Sequence, residues 1–273
     1  MSKELTPAEL KTVELDILKY LRDLCERMNL KYYLMGGTLL GAVRHQGFIP
    51  WDDDIDVMMP RKDYDQLIAY FRDHPEGRYQ LADYALQKDY SFPIGKLMDT
   101  DTVLVSNTVR TCKNAGAFID IFPLDRVKDI EDVRTRGEQL GRYNTFIHVF
   151  SRMLPEDYKA EKKKWSFKEA LVYRKNRVMG LQRLIRKYDQ ICRAYNDQET
   201  KYSAYIGWIL HDREIWSDEL LGEGTEILFE GEPFHAPSDY KGFLEIVYGD
   251  YMQLPPEDKR VTRHSFKVYW RDR

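Results

Sequence analysis

The stretch "GGTLLGAVRHQGFIPWDDDIDVMMP", residues 36–60, holds four aspartates within five positions, with Ile55 and Val57 on either side of the last. The aliphatic alternation points to a strand, with an acidic strand end that is simply a solvated turn as the alternative. Side chains alternate along a strand, so a strand over 54–59 places Asp54 and Asp56 on one face. Ile55, Val57 and Met59 then face a core. Asp52 has the same parity as the pair. Two carboxylates about 7 Å apart at Cα repel unless a cation lies between them. All-oxygen ligands favour Mg²⁺ or Mn²⁺. A calcium loop also begins D-x-D-x-D, but Val57 stands where that loop needs glycine, and no Glu follows at its twelfth position.

Working outward, "KYYLM" (31–35) reads as a short strand, Gly36-Gly37 breaks it, and "TLLGAVRHQ" has the composition of a short helix. Glycines at such a turn let backbone N–H groups approach a phosphate, with Thr38 next in line. The spacing is neither a P-loop nor a Rossmann fingerprint. Arg44 and His45 end this helix, placed either to touch a diphosphate or to complement the helix dipole. Trp51, just before the acids, is expected to pack. Pro60 closes the acidic strand, and "RKDYDQLIAYFRDH" (61–74) is helical. "YQLADY", "FPIGKLM" and "TVLV" follow as short strands. Lys96, in the second of these, is either an edge-strand lysine that snorkels or a phosphate contact. "GAFIDIF" (116–122), closed by Pro123, repeats the acidic design, because Asp120 sits between Ile119 and Ile121. A third acid on a separate strand completes a site for one or two metals, suited to phosphoryl transfer.

Thr6-Pro7-Ala8-Glu9 has the form of a capping box and opens an amphipathic helix over about residues 7–29. Residues 126–210 carry helical patterns with few strand signals. Within them, 151–195 hold 13 Lys or Arg against 5 Asp or Glu. That basic run, including Lys162, Lys163, Lys164, Arg186 and Lys187, is either a solvated helix face or a contact for an anionic membrane. Tyr202, Tyr205 and Trp208 could share a helical face, as core more readily than as a cage for a cation. His211, His235 and His264 are expected to be structural. The tail, rich in Gly, Pro and aromatics, reads as ordered loops around one short helix. The expected division is an α/β core over 1–125, a helical basic region over 126–215, and a segment over 216–273 that packs back on the core. The fold class is α+β, a small mixed sheet with flanking helices and a largely helical second half. A net charge of −3 argues against a nucleic-acid partner. Three scattered cysteines argue against a disulfide scaffold or a zinc site. No signal peptide and no run of roughly 20 apolar residues is present, so a cytoplasmic protein is expected.

The block "GGTLLGAVRHQGFIPWDDDIDV", with "GAFIDIFPLD" and the later "YGDYMQLPPEDKRVTRH", resembles the LicD family of phosphotransferases, which includes the fukutin-related proteins. The resemblance spans roughly residues 30–125 and 230–264. It implies a nucleotidyltransferase-like fold and Mg²⁺-dependent (or Mn²⁺-dependent) transfer of phosphocholine from CDP-choline to a sugar hydroxyl of teichoic acid or lipopolysaccharide. Other CDP-alcohols, carrying ribitol or glycerol phosphate, are the alternative donors, and the acceptor would be a lipid-linked glycan. By position it makes Asp54, Asp56 and Asp120 the metal ligands. Gly36, Gly37, Thr38, Arg44 and Lys96 become the donor contacts. It also favours a bacterial cytoplasmic enzyme, peripheral at most at the inner face of the membrane. The rival readings are nucleotidyl transfer from a nucleoside triphosphate, and a binding protein that keeps the fold without catalysis.

Overall fold

The computed structural model describes residues 3–106, 111–112, 114–148, 180–208, 214–262 and 266–272, with isolated positions between 157 and 178. Elements are numbered over these residues. Helix α1 (Pro7–Met28) starts as its sequence dictates. Thr6 accepts from the Glu9 N–H at 3.2 Å, the Glu9 carboxylate accepts from the Thr6 N–H at 2.8 Å, and Pro7 opens the first turn. Asn29, at φ 53°, ends it in the left-handed conformation.

Next come β1 (Tyr33–Leu34), α2 (Gly36–His45), β2 (Asp56–Pro60), α3 (Arg61–Asp73), β3 (Tyr79–Ala82), β4 (Gly95–Asp99), β5 (Thr102–Ser106) and β6 (Phe118–Val127). The second half holds α4 (Ile130–Ile147), α5 (Leu181–Cys192), β7 (Tyr202–Ala204), β8 (Trp216–Ser217), α6 (Asp218–Leu221), β9 (Thr225–Phe229), β10 (Glu232–Ala236), α7 (Tyr240–Tyr248) and β11 (Phe266–Trp270). The main sheet runs β1-β2-β6-β4-β3, with β7 on β6 and β8 on β7. Its β2–β6 pairing is parallel and the others are antiparallel. This is an α+β fold.

Ile55, Val57, Met59, Ile119 and Ile121 are buried, as the alternation requires. α1 and α3 pack against the central strands. A second apolar cluster joins α4 and α5 through Val133, Leu140, Leu184 and Tyr188.

Four local expectations are corrected. Pro123 does not close the last acidic strand, because β6 continues to Val127. Pro123 falls between the stretch of β6 paired with β4 (through Ile121) and the stretch paired with β7 (from Asp125), where a missing N–H costs that edge no ladder bond. The tail has its one short helix, α7, but the segment before it is strand β10 rather than a loop. β9 and β10 form a hairpin whose turn, Glu230-Gly231, has φ of 52° and 79°, the positive values a tight two-residue turn demands. β11 pairs with β5 across most of the chain length. Tyr202, Tyr205 and Trp208 share no helical face, since Tyr202 lies on β7, Tyr205 is buried against Trp216 with ring centres 4.8 Å apart, and Trp208 ends a 3-10 turn. Asp54 lies in the loop before β2, whose first paired residue is Asp56.

The helical layer is tied to the sheet by a buried ion network. Arg61, at the start of α3, donates twice to Asp125 of β6 at 2.8 and 2.6 Å, and both side chains are almost fully enclosed. Asn196 donates to the same carboxylate at 2.7 Å, and Arg193 holds Asp65 of α3 at 2.6 and 2.8 Å. Removing one member leaves an uncompensated charge in the interior. Asp125→Ala is expected to lower unfolding stability by about 3–5 kcal/mol, read from urea titrations. A loss within experimental error would show that the network is not what joins the two layers.

Candidate active site

The strand registers build the site. Parallel pairing sets Asp56 of β2 opposite Asp120 of β6, and antiparallel pairing sets Lys96 of β4 opposite Asp120 on the other side. Paired residues point to the same face, so three charged side chains form one row across three strands spaced about 4.8 Å apart. The Lys96 ammonium is bonded to the Asp120 carboxylate and sits 3.6 Å from the centre of the Phe118 ring.

The acids preceding β2 reach the same place. Asp56 is driven well above the ordinary carboxylate range by burial first, then by Asp54, Asp120 and Asp52, with Lys96 opposing. Asp54 acts on Asp56 through its charge from the loop before β2, but Asp54, Asp56 and Asp120 do not converge as one set of ligand oxygens. Among the described residues, Asp52, Asp53 and Asp54 bring ligand oxygens within 4.8 Å of one another.

Helix α2 begins against this cluster, with no side-chain cap at Met35. The two glycines are needed there for a reason beyond a turn. Gly36 has φ +55°, and a Cβ on it would stand 3.2 Å from the Asp56 carboxylate. A Cβ on Gly37 would overlap the Asp52 carboxylate at 2.4 Å. The glycines thus admit acids to the positive end of the helix. Thr38 is buried, and its hydroxyl accepts the Asp56 N–H at 2.8 Å, locking α2 to β2.

Arg44 is not brought to this end. It lies two turns on, about 12 Å along the axis, and donates to the Tyr251 and Gln253 carbonyls at 2.9 and 3.4 Å. Trp51 packs as expected, edge-on to His45 at 6.2 Å and under Arg260 at 5.6 Å. His235 packs against Tyr32, with ring centres 5.5 Å apart. His211, His264 and Lys162–Lys164 lie outside the described residues. Arg186 and Lys187 are exposed on α5 opposite its buried Leu184, Ile185 and Tyr188, as on a solvated face.

Tyr248, at the end of α7, was not among the candidate residues. Its hydroxyl oxygen lies 4.0 Å from where a Gly36 Cβ would be. The residue as a whole is 41% exposed, yet desolvation, then Asp56 and Asp52, push its hydroxyl above the usual tyrosine range. Its sequence block is the only signal that could have found it, since some 200 residues separate it from the acids.

The convergent oxygens of Asp52, Asp53 and Asp54 are hard donors of the kind a divalent ion takes, and beside them Lys96 is bonded into the Asp56–Asp120 row. A mixed sheet bearing such acids beside a glycine-opened helix defines a nucleotidyltransferase-type domain. The chain belongs to the family described as LicD/FKTN/FKRP, nucleotidyltransferase domain, which matches residues 29–169, and with it to the transferases. It is 30% identical to the lipopolysaccharide cholinephosphotransferase LicD of Haemophilus influenzae, over 98% of this chain and 99% of that one. Human ribitol 5-phosphate transferase FKRP is 46% identical over 39 residues, 14% of this chain and 8% of that protein. A Rickettsia typhi protein of unassigned role is 42% identical over 59 residues, 20% of this chain and 19% of that one. No helix among the described residues is long and apolar enough to cross a membrane.

The Asp56 environment sets a pH dependence. A carboxyl whose folded pKa is raised binds its proton more tightly folded than unfolded, so the stability that Asp56 contributes is lost as pH rises above about 4. Asp56→Asn removes that penalty. The variant is expected to melt higher than the parent at pH 7.5 without divalent ions, with the gain shrinking toward pH 4, and to gain less from added Mg²⁺. A variant melting below the parent at pH 7.5 would show that Asp56 is stabilising as a charge.

Proposed function

We propose that this protein transfers phosphocholine from CDP-choline to a hydroxyl of a cell-surface glycan precursor and releases CMP. The observation that carries this reading is the Asp56–Asp120–Lys96 row beside the start of α2, in a chain aligned end to end with a cholinephosphotransferase. A lipid-linked glycan is the acceptor, and ribitol or glycerol phosphate donors are the nearest alternatives.

Asp54, Asp56 and Asp120 would hold Mg²⁺ or Mn²⁺, which when bound neutralises charge on a diphosphate. The chain's own groups do the rest. First-turn amides of α2, from Gly36 and Gly37, bind phosphate oxygens with the helix dipole behind them. Lys96 supplies a fixed positive charge to the phosphate that departs with CMP. The acceptor oxygen forms a bond to the phosphorus bearing choline while the bond from that phosphorus to the bridging oxygen breaks. The acceptor's proton passes to water, because Asp120 is taken up by the ion and by Lys96. Positioning and charge neutralisation account for the rate, as in phosphoryl transfer generally. Arg44, held by carbonyls two turns away, takes no part in this arrangement.

Phosphorus NMR of CDP-choline incubated with Mg²⁺ and a glycan acceptor reads the reaction directly. CMP and a phosphodiester are the expected products, and Asp120→Asn and Lys96→Met are each expected to lower turnover about 10²-fold or more. Pyrophosphate released from a nucleoside triphosphate, with CDP-choline untouched, would establish nucleotidyl transfer instead.

A further inference from the structure

Two arginines that the reaction above does not use are fixed to one short segment after α7. Arg44, in the last turn of α2, donates from Nη1 to the Tyr251 and Gln253 carbonyls at 2.9 and 3.4 Å. Arg260 donates from Nε to the Pro255 carbonyl at 2.9 Å, and its guanidinium lies 5.6 Å from the centre of the Trp51 ring. His45 closes the patch. It meets the same indole edge-on at 6.2 Å, and its Nδ1 is 3.5 Å from the Arg44 Nε. The patch therefore ends one residue before the acidic loop.

These contacts leave Nη2 of Arg44 and both terminal nitrogens of Arg260 without a protein acceptor among the described residues. No carboxylate among those residues forms an ion pair with either arginine; Glu257 and Asp258, in the turn before Arg260, are exposed. Burial lowers the Arg44 pKa first, and the like charge of Arg260 lowers it further, with Tyr248 opposing. Two cations held together without a counter-charge recruit an anion, and a guanidinium fork matches the geometry of phosphate. The segment they hold adds a second preference. Its carbonyls at 251, 253 and 255 turn to the arginines, while Met252 and Leu254 between them are exposed, as is Val261 beside Arg260. An anion that covers these side chains carries hydrocarbon. We propose that Arg44 and Arg260, with Met252 and Leu254 beside them, bind the phosphate of a lipid phosphate. The lipid-linked acceptor of the transfer proposed above is such a molecule, and the site rests on that reading for this identification alone.

Calorimetric titration with dihexanoyl phosphatidic acid below its micelle concentration reads the site, with inorganic phosphate and octyl glucoside as partial probes. The lipid phosphate is expected to bind about tenfold or more tighter than either. Arg260→Gln and Arg44→Gln are each expected to weaken it about tenfold or more, and Leu254→Ser to bring it toward inorganic phosphate. Lys96→Met is expected to leave it unchanged. Wild-type affinity in Arg260→Gln overturns the proposal, even if CDP-choline is turned over normally. Equal binding of lipid phosphate and inorganic phosphate, or loss of binding in Lys96→Met alone, overturns it as well. Weakened lipid phosphate binding in both arginine variants, in a protein that turns over no CDP-choline, supports the site while removing the proposed reaction. If Arg44→Gln loosens the segment it holds and melts early, Arg260→Gln decides alone.

Discussion

Parallel pairing of β2 with β6 sets Asp56 beside Asp120, while antiparallel pairing of β4 with β6 brings Lys96 to Asp120 from the other edge. Side chains in strands repeat every two residues. A slip of one residue in either ladder would turn the acids into the core and push Val57, Ile119 and Ile121 toward the site. The fully buried aliphatics on the opposite face make that slip prohibitive. The hydrophobic core thus fixes the register, and the register fixes which charges meet.

What meets there is a surplus of negative charge in an enclosed place. Its compensation comes from Lys96 and from the uncapped start of α2. The two glycines let the helix end come close enough to matter, since a side chain on Gly37 would occupy the position of the Asp52 carboxylate. Thr38 holds that helix to β2 through the Asp56 amide, so the helix end and the acid cannot drift apart. Similar logic reaches outward through the buried Arg61–Asp125 pair, which anchors the helical layer to the end of the strand that carries Asp120.

Much of this was written in local sequence. The capping box at Thr6, the aliphatics around Asp56 and Asp120, and the Gly36-Gly37 break each follow from short-range chemistry. Four things were not legible. Asp54 alternates correctly for a strand, yet a strand needs a ladder partner, and pairing begins only at Asp56. The β9–β10 turn uses Glu230-Gly231, which lacks the Asn-Gly or Asp-Gly signal of a tight hairpin, and β11 finds β5 only through the tertiary fold. Arg44 sits near the glycines in sequence, but helix rise carries it to the far end.

The most direct measurement is an anomalous-scattering map from crystals grown with Mn²⁺ and CMP. A peak about 2.0–2.2 Å from carboxylate oxygens of both Asp56 and Asp120, with nucleotide phosphate at the first turn of α2, is the expected result. A map with manganese absent from that row, or with the phosphate bound elsewhere, would contradict the assignment of these acids to the transfer reaction.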